Sequence, residues 1–213
     1  MAETLPTLPD EAPGSVDSLV WHWYDLICPF CYVGQDRTRL LEELSLRVVE
    51  IGFEIHPETP ATGRYVGPRR GAMYENLERE AKLAGLPLRW PDRIANSRRA
   101  LSAVEWARRA APDQAPALRA GLFRAHFALG EDIADEATVL RQAAEARIAV
   151  DPLAEALADG SADELLRCGE RAGRLLGVRA TPTWRVKGRL VQGLLPRDEM
   201  ARLARAQPPP AAP

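Results

Sequence analysis

The chain has 213 residues, enough to bury a core without disulfide staples, either as one large domain or as one domain carrying an insertion. Charged residues make up 27% and the formal net charge is −2, so no basic excess points to nucleic acid and no run of Lys and Arg points to an anionic membrane surface. No stretch approaches the roughly 18 apolar residues of a membrane span, and the opening carries Glu3, Asp10, Glu11 and three prolines where a signal peptide would be basic and apolar, so a soluble, cytoplasmic chain is expected.

Residues 1–17 and 207–213 are rich in Pro and Ala and offer little to pack, which predicts loose tails. Leu19-Val20-Trp21-His22-Trp23-Tyr24 is short, aromatic and bounded by turn formers, as a strand requires. A helix is predicted after Cys28-Pro29-Phe30-Cys31, with Leu40, Leu41 and Leu44 at helical spacing, and Arg47 to Ile55 then alternates like a second strand. Residues 18–60 therefore read as β-α-β. From about Gly71 to Leu176, Ala, Leu, Arg and Glu dominate, with breaks at Gly85-Leu86-Pro87, Ala111-Pro112-Asp113, Gly130-Glu131-Asp132 and Asp151-Pro152. Four to six helices are expected within a segment bounded at 61–176. Over 177–206 the pattern returns to strands: Pro182 to Val186 and Arg189 to Gly193 form a hairpin across Lys187-Gly188, and a helix begins near Pro196. These elements describe an α/β chain, a thioredoxin-like fold with an all-helical insertion between its β-α-β and β-β-α halves.

The three cysteines do not form the even, spread-out framework of a small secreted protein. Two are close together, which suggests redox chemistry or metal. A cysteine attacks only as the thiolate, and its free pKa of about 8.5 leaves little thiolate at neutral pH. If the strand ends near Ile27 and the helix starts at Pro29, Cys28 caps a helix N-terminus, where unpaired N–H groups and the helix dipole favour the anion. Cys28 is then expected to be an exposed nucleophile and Cys31, one turn on, the resolving thiol. Zinc would require about four ligands; no second knuckle exists, and His22, His56 and His126 are isolated, so no metal is expected. Phe30 offers the thiolate neither charge nor hydrogen bond, which predicts a moderately oxidising couple. Pro182 opens the late strand, and in a thioredoxin fold such a proline is cis, packs opposite the dithiol and lets the backbone of Thr181 pair with a substrate peptide. The other reading is an ordinary loop proline.

The segment Asp25-Leu26-Ile27-Cys28-Pro29-Phe30-Cys31-Tyr32-Val33-Gly34 resembles the active-site segment of the FrnE-like branch of the DsbA family. Asn96 to Leu101 with Trp106-Ala107, and Leu122 to Phe127 running into Asp132 to Asp135, resemble that branch's helical insertion. The resemblance spans roughly residues 18 to 205. It implies an insertion that lids the active site, and dithiol–disulfide oxidoreductase or isomerase activity on a thiol- or disulfide-containing protein, peptide or small thiol. No cofactor is implied beyond a Cys28–Cys31 disulfide, with glutathione as an optional co-substrate. A more distant resemblance, to kappa-class glutathione transferases and 2-hydroxychromene-2-carboxylate isomerases, comes with a difference: those enzymes carry Ser in place of Cys28. Where the family more often has Gly-Val-Pro this chain reads Ala180-Thr181-Pro182, and a Thr at that place resembles disulfide isomerases. A third reading is a non-enzymatic, chaperone-like peptide binder.

Other residues carry weaker signals. His22, six positions before Cys28, occupies the place of a buried proton-shuttling carboxylate in thioredoxins, with a core histidine as the plainer reading. Asp25 is either a proton-positioning group or a turn former. Tyr24, Trp23 and Phe30 surround the dithiol, either as an apolar platform for a substrate chain or as core: Trp23 reads as core, Phe30 as a substrate platform with Thr181 and Pro182, and Cys168 as a lone, inert thiol. Asn96 and His126 are expected on insertion helices in capping or surface roles.

Overall fold

Strand β1 (Leu19–Tyr24) is central in a four-stranded sheet of order β2-β1-β5-β6 in the computed structural model, which describes residues 18–207. Both predicted tails lie outside the described residues, apart from Gln207. β1 runs parallel to β2 (Arg47–Gly52), with Trp23 opposite Ile51, and antiparallel to β5 (Thr183–Val186), with His22 opposite Trp184. β5 turns back into β6 (Arg189–Gln192) through Lys187 and Gly188, both at positive φ (49° and 75°), the combination that matches the strand twist in a two-residue hairpin.

The alternation of β1 decides what covers each sheet face. Val20 packs with Leu40 and Leu41 of α1 (Pro29–Glu43), with Trp184 and Val186, and with Met200 of α8 (Arg197–Arg205). Trp21 and Trp23 point the other way and pack with Val49, Ile51, Phe53 and Val178. Against that second face lies α7 (Ser161–Leu175), which comes close because two of its residues lack a side chain. A Cβ at Gly173 would lie 2.8 Å from Nε1 of Trp23, and one at Gly169 would lie 2.7 Å from Cγ2 of Ile51.

Between β2 and β5 the chain forms α2 (Ala72–Leu83), α3 (Arg98–Ala110), α4 (Ala115–Arg124), α5 (Glu136–Glu145), α6 (Val150–Ala158) and α7. A π-helical turn, Ala125–Leu129, continues α4 and stops at Gly130, whose left-handed φ of 71° ends the helix. The short strands β3 (Arg64–Tyr65) and β4 (Arg93–Ile94) pair antiparallel, a ribbon that two-residue signals do not reveal in sequence. The break read at Asp151-Pro152 is instead the first turn of α6, where a missing proline N–H leaves no helical bond unmade. The largest core cluster joins Tyr24, Leu26, Ile27, Cys28 and Cys31 to Leu101 and Val104 of α3, Leu118, Leu122 and Phe123 of α4, and Phe127. The helical segment therefore packs onto the dithiol end of the sheet. No helix among the described residues is long and apolar enough to cross a membrane.

Candidate active site

After β1 the turn Asp25–Ile27 delivers Cys28 to the N-cap of α1, at φ −83° and ψ 115°, with Pro29 in the first helical position. The Cys28 N–H donates to the Asp25 carbonyl at 3.2 Å, and the N–H groups of Cys31 and Tyr32 both donate to the Cys28 carbonyl at 3.0 Å. Both cysteines are free thiols. The Cys28 thiol donates to the backbone carbonyl of Thr181 at 3.3 Å, and the Thr181–Pro182 peptide bond is cis. The loop ahead of β5 thus lies against the first thiol of the pair.

The two thiols are driven in opposite directions. Burial pushes Cys28 up, but hydrogen bonding to its sulfur, first from the Cys31 side chain and also from the Cys31 backbone, outweighs it, so its pKa falls below the ordinary thiol value. Burial raises Cys31 well above that value, and its hydrogen bond to Cys28 and the developing charge there raise it further. One site therefore holds a thiol ready to ionise beside one that keeps its proton. Cys28 was expected to be exposed; it is 3% exposed and Cys31 is 1% exposed. The cause is the insertion, whose side chains pack on the turn that carries Cys28 together with Thr181.

Asp25 is fully buried beneath this turn. Its carboxylate accepts from the N–H of Ile27 at 3.2 Å and of Ile55 at 2.8 Å. Burial outweighs these bonds and raises its pKa to about 6. His22 faces a different set of groups. Its Nδ1 lies 3.0 Å from Oε1 of Glu50 and 3.5 Å from Oγ1 of Thr38, and its ring stacks on Trp184 with centroids 4.4 Å apart. Burial, with the charge of Arg119 in addition, holds it well below the usual imidazole value. These contacts turn the ring toward Glu50, Thr38 and Trp184 and not toward the dithiol.

Phe30 is half-buried and packs against both the main core and the cluster of Val33, Leu77 and Ala81. Pro182 and Thr181 are buried. Tyr24 lies in the same cluster as the cysteines, whereas Trp23 lies on the far face of the sheet. Asn96 precedes α3, donating to the Thr59 carbonyl at 2.7 Å and accepting from the Arg98 N–H at 3.1 Å, which is a capping role. His126 is not on the surface: it sits buried in the π-helical turn, edge-on to Phe127 at 4.7 Å, and burial lowers its pKa to about 4. Cys168 is exposed on α7, 3.0 Å from Nη2 of Arg171.

One pair near the site is not evident in the sequence. Arg119 of α4 is buried, pairs with Glu50 of β2, and lies over the Tyr24 ring with its Cζ 5.6 Å from the centroid. It is close enough to Cys31 to feel its charge. An arginine in an Ala- and Leu-rich helix reads as surface, and only the approach of α4 to β2 buries it. Among the described residues, no group of three or more His, Cys, Asp or Glu side chains is arranged to hold a metal.

A parallel β-α-β unit, a dithiol capping its helix and a cis-proline loop facing the cap define a thioredoxin-type domain. The chain belongs to the DSBA-like thioredoxin domain family, matching its model over residues 20–206. No curated protein matches the chain in sequence. Among solved structures it is similar to a probable DsbA oxidoreductase from Streptomyces coelicolor, with a TM-score of 0.76 and 24% identity over 87% of this chain and 88% of that one. It is also similar to a 2-hydroxychromene-2-carboxylate isomerase, with a TM-score of 0.70 and 22% identity over 87% and 92% of the two chains. The cytosolic disulfide reductase DsbM from Pseudomonas aeruginosa gives a TM-score of 0.59 and 25% identity over 87% and 93%, and its structure with GSH a TM-score of 0.58.

Proposed function

We propose that this chain is a dithiol–disulfide oxidoreductase of the FrnE-like branch, acting in the cytoplasm on disulfides of proteins, peptides or small thiols. The observation that carries this reading is the opposite drive on two thiols three residues apart, Cys28 toward the thiolate and Cys31 toward the thiol. Family membership supports the reaction type. The likeness to a cytosolic disulfide reductase supports the compartment, and that protein's structure with GSH supports glutathione as the reducing co-substrate.

In the reductive direction the Cys28 thiolate attacks one sulfur of a substrate disulfide, forming a mixed disulfide and expelling one substrate thiolate. Cys31 then gives up its proton and attacks the Cys28 sulfur, expelling the second thiolate and closing the Cys28–Cys31 disulfide. Two electrons pass to the substrate, and two glutathione thiols return them. Asp25, with a pKa of about 6 beneath the turn, is the group assigned to take the Cys31 proton, in preference to His22, whose contacts lie with Glu50, Thr38 and Trp184. When Cys28 ionises, the Thr181 carbonyl loses its thiol donor and becomes available to an N–H of an extended substrate chain. Phe30 and Pro182 supply the apolar surface beside it.

Insulin reduction with glutathione as donor tests the reading. Cys28→Ser abolishes turnover, and Cys31→Ser accumulates a mixed disulfide on Cys28; activity that survives loss of Cys28 contradicts it. The likeness to the isomerase supports a second reading, glutathione-dependent isomerisation, which requires chromene isomerisation without thiol turnover. A chaperone-like role requires holdase activity that the double Cys→Ser variant retains.

A further inference from the structure

Ser97 stands at the N-cap of α3, where a serine ordinarily accepts from an N–H one turn on, yet its side chain makes no capping bond and its backbone is already helical, at φ −85° and ψ −8°. Asn96 does that work instead, accepting from the Arg98 N–H. The Ser97 hydroxyl is left buried without a hydrogen-bond partner. Its surroundings show what it faces. Asn96 donates to the Thr59 carbonyl at 2.7 Å, Nη1 of Arg98 lies 3.0 Å from Oε2 of Glu54, and between those two anchors the Ile55 N–H donates to the Asp25 carboxylate at 2.8 Å. The start of α3 is thus pinned, on both sides of Ser97, to the segment that binds Asp25. From there the Ser97 side chain comes close enough to favour ionisation of that carboxylate, without a hydrogen bond of good geometry. Each Asp25 oxygen accepts one backbone N–H and keeps a further lone pair. The charged groups that bear on Asp25 work against its ionisation: Glu54 carries like charge, and Cys28 and Tyr24 carry it when ionised. Arg98 is engaged by Glu54, Asp163 and Glu170. An unused O–H therefore stands beside a carboxylate with room for a third donor, where a buried donor left unpaired costs free energy.

We propose that Ser97 is a positioning residue for the second thiol step: its hydroxyl rotates to donate to the Asp25 carboxylate and so holds ready the ionised form that takes the Cys31 proton. The proposal rests on the reading of Asp25 as that proton's acceptor. A hydrogen bond to an ionised acceptor is stronger than one between neutral groups, so the hydroxyl stabilises the carboxylate more than the carboxylic acid and sets the pH above which Asp25 can accept.

Two pH series on the full, reduced chain test this. Carboxyl NMR with labelled aspartate follows the Asp25 titration, and stopped-flow reaction with excess hydroxyethyl disulfide follows the concentration-independent second phase, in which Cys31 attacks the mixed disulfide. Ser97→Ala is expected to move the Asp25 midpoint up by about one pH unit and to carry the midpoint of the second phase with it, whereas Ser97→Thr, which keeps the hydroxyl, leaves both near wild type. A serine with a merely structural role would change stability and move neither midpoint. An Asp25 midpoint unmoved in folded Ser97→Ala, or moved equally in Ser97→Thr, overturns the proposal, as does a shifted Asp25 midpoint with an unshifted second phase. Asp25→Asn separates this from the underlying reading: loss of the second-phase midpoint in that variant upholds Asp25 as the acceptor whatever Ser97→Ala does, and an unchanged profile overturns Asp25 and Ser97 together.

Discussion

At the scale of single residues, the site is governed by how burial competes with a few hydrogen bonds. Asp25 shows the competition most plainly, because its carboxylate holds two backbone donors and still has its pKa raised to about 6 from an ordinary 3.8. Between those two pH values the folded chain binds a proton that the unfolded chain has released, so this group's contribution falls as pH rises. The cost of ionising it in place is on the order of 3 kcal/mol above the folded pKa. Urea unfolding of wild type and Asp25→Asn across that window should show the falling component in wild type and its loss in the variant. His22 contributes with the opposite sign, since its lowered pKa makes stability rise with pH, and it is common to both proteins. A difference between the two curves that does not change across the window would remove the raised carboxylate from the account.

At the scale of elements, the molecule depends on close approach and on one buried ion pair. α7 reaches the sheet through Gly169 and Gly173, so Gly173→Ala drives a methyl into the Trp23 indole and should destabilise by about 1–3 kcal/mol. Chemical denaturation measures this, and an unchanged midpoint would mean that α7 can shift freely. α4 is tied to β2 by Arg119 and Glu50, both largely buried. Arg119→Met leaves Glu50 beside a neutral histidine and should cost roughly 3 kcal/mol, with Glu50→Gln in the same chain recovering much of it. An additive double variant would show the pair to be uncoupled. Strands, hairpin and the thiol-capped helix were legible because each has a local cause: aromatic alternation in Leu19 to Tyr24, positive-φ residues at Lys187-Gly188, proline after Cys28. The π-helical turn, the β3–β4 ribbon and the Arg119–Glu50 pair were not, because each depends on contacts between segments far apart in the chain.

At the scale of the whole molecule, the helical segment between the two halves of the sheet sets how the dithiol meets its surroundings. Residue spacing placed Cys28 at a helix N-cap and Pro182 ahead of a strand, and could say nothing of the α3 and α4 side chains that pack over them. The expectation of an exposed nucleophile failed for that reason: exposure is a property of the assembled cluster of Tyr24, Phe123 and Phe127 around the turn. The same burial keeps Cys31 protonated and so separates the roles of two otherwise identical groups. With the residue only 3% exposed, a substrate reaches Cys28 only after movement of the chain around it, so burial should slow absolute reactivity while leaving its pH midpoint in place. The asymmetry of the pair is the central claim, and alkylation of the reduced chain by iodoacetamide across a pH series, with each cysteine followed by peptide mass mapping, tests it most directly. Cys28 should react first, with a midpoint below the ordinary thiol value, while Cys31 stays unmodified. Reaction of Cys31 first, or a Cys28 midpoint at or above that value, would contradict the account.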